Sequence, residues 1–509
     1  MKKYAQDPRG QVRRRVWRAV PFVLVSAIAV IGVAVVSFVP VSGAGGCQVT
    51  NAAFCDTFDQ GPSAVRGRGG DLDPAKWGAA RLAPSDFSGS VANPTRAATM
   101  PACRASLPIS SAYPSDDTLI CDASGNKSSQ LLTAVAIQNY GVNSYMVRQP
   151  FDFTARTGKI VFDVDATSQG TTSTWVNVDI TSDPVPAPTF REYENYEVGP
   201  LPRNGLMMKW GEICGDGGNK ITLANVLYYR DYVPTTVTPT FSVNGQSCAR
   251  TQAGSLNHFE IRVSQTTLEI WASDFSTDNG NTFPNFRKIY AGNINLNFSR
   301  GYVHFAARNH ATSKYGYGTS WAYHWDNIGF DGPVVTPPRA YEVPNNNTST
   351  THDGAAMRNL GWQLQDGSVN GKPAGMYDPS NRISPFSIPG VDLTAVSTAK
   401  VTFNVFFNTI GHTATTSWGL NYKFNGGTQR QRMLSAMEVG AINGAGSAGN
   451  LTLVIDVPLS DIRAGTNTLE FTPIASPMDY PPAIANIDLV LGLTTGPVPT
   501  APANLRIIQ

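Results

Sequence analysis

Beyond Val41 the chain alternates apolar and polar residues in short runs with turn-forming residues between them, and it carries almost no helical periodicity. KIVFDVDA (159–166), TWVNVDI (174–180), HFEIRVS (258–264), TLEIWA (267–272), FRKIYA (286–291) and YVHFAAR (302–308) read as strands with one apolar face. The fourth and fifth of these predict a hairpin around the turn-rich loop Asp274 to Asn285, with Asp278-Asn279-Gly280 at its tip. A second set follows at KVTFNVFF (400–407), SWGLNYKF (417–424), LTLVIDV (451–457), NTLEFT (467–472) and IANIDLVL (484–491). The breaker-rich stretch Pro333 to Gly354 separates the two sets. The prediction is an all-β protein of two antiparallel β-sandwich (jelly-roll) domains, 47–333 and 355–494. A linker at 334–354 joins them, and a proline-rich tail follows at 495–509.

The N-terminus breaks this pattern. Residues 1–18 carry Lys2, Lys3, Arg9, Arg13, Arg14, Arg15 and Arg18 against Asp7 alone, and 19–41 then runs without a charge. A basic flank before a long apolar run predicts an export signal or a signal anchor, with everything downstream outside the membrane. The length is that of a membrane-spanning helix, whereas Pro40 and Ser42-Gly43-Ala44 resemble a signal cleavage site. Both readings stand.

Six cysteines, Cys47, Cys55, Cys103, Cys121, Cys214 and Cys248, all follow this segment. An even count in an exported chain predicts disulfides, and sequential pairing is the simplest of the 15 connectivities that six allow. Charged residues make up only 15% of the chain, which suits a turn-rich secreted β protein. Removing the seven basic residues and one acidic residue of the first 18 turns the net charge of +2 into −4. That balance argues against nucleic acid as a partner, because phosphate binding needs a basic face. No H-E-x-x-H or G-x-S-x-G occurs; AGSAG around Ser447 lacks the first glycine of the latter. Glu192, Glu194 and Glu197 form a charge run in a proline-flanked loop.

FCDTFDQG (54–61) with LDPAKW (72–77), and the closing WDNIGFDG (325–332), resemble the first and last strands of concanavalin A-like lectin/glucanase domains. DIRAGTNTLEF (461–471) and IANIDLVL (484–491) resemble galactose-binding-like jelly rolls of carbohydrate-binding modules. The first resemblance implies a carbohydrate-related function, yet the glucanase signature E-x-D-x-x-E is missing. The nearest strand offers Asp163 and Asp165, which share a face opposite Ile160, Phe162, Val164 and Ala166 and so read as solvated. The resemblance also implies a structural Ca2+ as the one candidate cofactor, with Asp56, Asp59 and Asp326 as the available carboxylates.

Alternation supplies a candidate site. Trp175, Asn177 and Asp179 lie opposite Val176, Val178 and Ile180. His258, Glu260 and Arg262 oppose Phe259, Ile261 and Val263, and His304 and Arg308 oppose Val303, Phe305 and Ala307. If these strands share a sheet, its outer face carries an aromatic ring among carboxylates, amides and guanidinium groups, which suits a polysaccharide or glycan. The competing reading is a solvated face with cross-strand pairs such as Glu260 with Arg308. An enzyme, either a glycoside hydrolase or a polysaccharide lyase, would use Asp179, Glu260, His304 and Arg308. The preferred expectation is a glycan-binding protein on the extracellular side of a bacterial membrane, anchored or secreted. A ligand-free structural surface protein is the third reading.

Overall fold

A computed structural model describes residues 41–42, 46–61, 63, 69, 71–82, 118–121, 130–135, 141–165, 174–186, 201–211, 220–240, 248–252, 254–278, 280–309, 321–343, 385–407, 413–444, 450–474 and 483–494. The basic flank, residues 19–40 of the apolar segment and the Glu192–Glu197 loop lie outside the described residues, and no described helix is long and apolar enough to cross a membrane.

The described chain is built almost wholly of antiparallel strands. Between Ala52 and Asp331 they form an eight-stranded and a nine-stranded sheet. The nine-stranded sheet runs Val233–Thr236, Lys220–Arg230, Gly205–Gly211, Thr174–Thr181, Arg300–Asn309, Gly141–Val147, Trp77–Leu82, with two short strands beside this path. The eight-stranded sheet runs Arg287–Asn293, Thr267–Ala272, Asn257–Val263, Gly158–Asp165, Trp321–Asp331, Gln130–Val135, Thr118–Cys121, and Ala52–Asp56 pairs with Trp321–Asp331. Side chains alternating inward from both sheets make one core. Ile160, Phe162, Phe259 and Ile261 from one sheet meet Val176, Val178, Leu206 and Phe305 from the other. The closing strand does return beside the first, with Phe330 opposite Phe54. The two rings stack at 5.5 Å, and Trp77 meets Phe54 edge-on.

The closing strand bulges between Asp326 and Gly329. There Asn327 takes φ 49°, a left-handed conformation that asparagine tolerates, and its amide donates to Asp163 Oδ2 at 2.7 Å. Gly329 is fixed by the N-terminal loop, since a Cβ there would meet Cys47 Cβ at 2.7 Å. Cys47 and Cys55 are disulfide-bonded, as sequential pairing predicts. Cys248 is disulfide-bonded too; the side chains of Cys103, Cys121 and Cys214 lie outside the described residues. Disulfides of this kind belong to an oxidising compartment.

Two four-stranded sheets follow: Arg339–Glu342, Ala483–Leu493, Val396–Phe406, Asn450–Asp456, and Phe386–Val391, Gly465–Pro473, Gly419–Phe424, Arg430–Met433. Val401, Phe403 and Leu453 of the first pack with Leu420, Leu469 and Phe471 of the second. The same apolar cluster takes in Met207, Leu227, Tyr229 and Tyr232, so the second sandwich closes over the outer face of the nine-stranded sheet. Thr452 N and Oγ1 donate to Leu201 O at 3.1 and 3.0 Å, and Asn404 Nδ2 donates to Pro186 O at 2.8 Å. The helix Ala436–Asn443 starts at a capping box in which Ser435 and Glu438 satisfy each other's backbone amides.

Candidate functional site

The eight candidate residues do not share a face. Thr174–Thr181 and Arg300–Asn309 are neighbours in the nine-stranded sheet, whereas Asn257–Val263 belongs to the eight-stranded sheet. The outer faces of a sandwich point in opposite directions, so the single eight-residue surface is corrected to two. The residues proposed for an enzyme separate in the same way, with Glu260 on one sheet and Asp179, His304 and Arg308 on the other. The strands of Glu260 and Arg308 lie in different sheets, and Glu260 holds Arg262 Nη2 at 2.8 Å and Lys159 Nζ at 3.3 Å.

On the nine-stranded sheet the register sets His304 opposite Asp179 and Arg308 opposite Trp175. The side chains of Trp175 and Arg308 lie outside the described residues. Asn177, Asp179 and His304 are buried, because the second sandwich covers this face. His304 Nε2 lies 2.8 Å from Thr181 Oγ1. That hydroxyl donates its own proton to Asp183 O, so it accepts from Nε2–H. Burial lowers the His304 pKa to about 3, leaving a neutral imidazole at ordinary pH.

On the other sheet, His258 Nδ1 lies 2.6 Å from Asp163 Oδ1, with both side chains buried. Phe283 and Phe286 pack over the histidine ring at 5.4 and 5.6 Å. Asp163 is thus not the solvated residue that alternation predicts; its carboxylate joins His258 to the Asn327 bulge. Asp165 accepts from Gly254 N at 2.8 Å.

An accessible face lies at the edge of this sheet. Leu268, Ile270 and Ala272 point into the core, which turns Glu269 and Trp271 outward. A bulge beside Trp271 sets Lys288 opposite it, and Glu260 is its partner on the other flank. Trp271 and Phe286 are both half-buried, and their rings stack at 5.8 Å and 26°. The Arg262 guanidinium lies 4.4 Å and the Lys288 ammonium 5.3 Å from the indole centroid. Trp271 Nε1 donates to Glu269 Oε2 at 3.1 Å, and Glu269 Oε1 holds Lys288 Nζ. Partial burial works to raise the Glu269 pKa, but these hydrogen bonds and the neighbouring charges hold it below the usual carboxylate value. The result is an aromatic platform framed by fixed donors and acceptors. Trp271, Phe286, Glu269 and Lys288 were missed as site residues, although TLEIWA alternates as clearly as the strands chosen.

Among the described residues no group of three acidic, histidine or cysteine side chains is placed to hold a metal ion. Two of the three proposed calcium carboxylates have other partners. Asp56 accepts from Phe58 N and Trp77 Nε1, Asp326 is buried and accepts from Asn327 N, and Asp59 is exposed.

No family model matches the chain, and no curated protein does. Solved structures with similar folds include a prokaryotic beta-1,3-1,4-glucanase (lichenase) derived from a mouse hindgut metagenome, at 9% identity over 55% of this chain and 98% of that one, TM-score 0.27. An alginate lyase solved with an alginate tetrasaccharide matches at 11% identity over 40% and 81%, TM-score 0.25. Basic winged bean lectin matches at 11% identity over 42% and 91%, TM-score 0.24. At such identities and TM-scores the site is read from this chain's own residues.

Proposed function

We propose that this is an exported or membrane-anchored protein on the extracellular side of a bacterial membrane, and that it binds a polysaccharide or glycan without cleaving it. The reading is carried by the half-buried Trp271–Phe286 pair on the outer face of the eight-stranded sheet. An apolar sugar face stacks on such rings, and the fixed polar groups of Glu269, Glu260, Arg262 and Lys288 take its hydroxyls. Binding is favoured over hydrolysis because the carboxylates proposed for catalysis stand on opposite sheets and Asp179 is buried. A second reading, a surface protein without ligand, is favoured by one observation: Glu260, Glu269, Arg262 and Lys288 already pair with one another or with Lys159.

A polysaccharide-array screen of the full chain and of Trp271→Ala tests the proposal, read for both retention and released oligosaccharide. Retention without release is expected, weakened at least about tenfold, or about 1.4 kcal/mol, by Trp271→Ala. Release of oligosaccharide would make the protein an enzyme, and silence across the panel would support the ligand-free reading.

A further inference from the structure

Where the two sandwiches meet, they enclose a cleft of about 150 Å³. Asp183, Arg203 and Tyr232 of the first sandwich and Lys400, Glu438 and Asp456 of the second line it. Its walls are held in place. Lys400 Nζ reaches across to Asp183 Oδ1 at 3.3 Å, and Tyr232 donates to Thr452 O at 3.1 Å and Glu438 Oε1 at 3.4 Å. Tyr232 arrives on a two-residue hairpin turn, Asp231-Tyr232, with φ 49° and 68°. Positive φ at both positions is what a two-residue type I′ hairpin turn requires, and the turn fixes where the tyrosine enters the junction.

We propose that this cleft is a second binding site, taking one hydroxyl-rich sugar residue. The inference rests on the reading of the protein as a glycan binder and adds a separate place of recognition. The volume lies below the roughly 300 Å³ at which pockets for drug-sized ligands begin, so it fits a single ring rather than a chain. The lining charge is balanced. Arg203, Lys400 and Arg432 face Asp183, Glu438 and Asp456, so the cleft exerts no net pull on an anion. Donors and acceptors stand side by side, the arrangement that hydroxyls, each a donor and an acceptor, require. Glu438 is occupied by Arg432 and the helix cap. Asp456, by contrast, is exposed and holds no ion pair among the described residues, and the Arg203 side chain is 54% exposed with its Nε held by Asp231 Oδ1 at 2.8 Å. Asp456 is the reachable acceptor, and the rest of the Arg203 guanidinium is the reachable donor.

The test is saturation-transfer NMR of the full chain with D-glucose, D-galactose, D-mannose and, as a small zwitterion, L-serine. The variants are Asp456→Asn and Arg203→Gln, each made in a Trp271→Ala background so that the aromatic platform adds no signal. At least one sugar is expected to bind the Trp271→Ala protein and to lose about tenfold or more in affinity in each cleft variant. No sugar signal, a signal that survives both cleft variants, or a signal from serine alone overturns the proposal. Lys400→Gln replaces either cleft variant if its melting temperature falls. Sugar binding in the cleft without polysaccharide retention sinks only the aromatic-platform reading, and the reverse sinks only this one.

Discussion

His304 shows how far a side chain's surroundings can depart from its sequence context. Alternation assigns it correctly to the polar side of its strand, but that side is buried beneath a second sandwich. Its folded-state pKa of about 3 lies below the ordinary 6.5, so the unfolded chain takes up a proton that the folded chain refuses. Stability therefore rises with pH between these values, by about 1.4 kcal/mol per unit from this group, and the contribution is fully present above 6.5. Urea midpoints of His304→Gln between pH 4 and pH 7 should show a shallower slope than those of the parent; an equal slope would remove His304 from the acid response. Asp163 carries a related expectation. Asp163→Ala leaves the His258 ring and the Asn327 amide without their buried acceptor, at a cost of about 2–3 kcal/mol, measurable as a fall in urea midpoint. The sequence reading placed Asp163 on the correct side of its strand. It missed the burial because Phe283 and Phe286, which cover His258, come from a loop far along the chain.

The strands read from the sequence were legible as elements because one face is apolar and the other polar. Among those not singled out are Gly205–Gly211 (GLMMKWG) and Lys220–Arg230 (KITLANVLYYR). Both are buried on two sides: Leu206, Met208 and Val226 enter the first core, while Met207, Leu227 and Tyr229 enter the second. Such strands lose their alternation, and periodicity alone does not find them. The helix Ala436–Asn443 was missed for the opposite reason. At eight residues it is too short to show a period, and only the capping box Ser435…Glu438 marks it. Glu438 also holds Arg432 and accepts from Tyr232, so the helix start is tied to the junction. Ser435→Ala should cost about 1 kcal/mol in thermal or urea unfolding; a stability unchanged within a few tenths would show that the cap is dispensable.

At the scale of the whole molecule, the two sandwiches share one apolar cluster. The breaker-rich stretch between them predicts modules on a string, and nothing in its composition reveals that their faces meet. Tyr232 and Glu438, which touch, are 206 residues apart. The shared cluster predicts a single cooperative unfolding transition followed alike by tryptophan fluorescence and near-ultraviolet circular dichroism. Tyr232→Ala should lower that midpoint by an amount equivalent to about 3 kcal/mol, as expected for a large buried ring. Two separated transitions, with only one moved by the variant, would show that the contact is incidental.

The closed junction also bears on how the protein can be reused. A module that hangs from a linker can be cut out and fused to another protein, carrying its properties with it. Here an excised first sandwich would expose Met207, Leu227 and Tyr229, and an excised second sandwich would expose the surface that covered them. Each half would carry a greasy scar prone to self-association. The unit that can be transplanted is the pair.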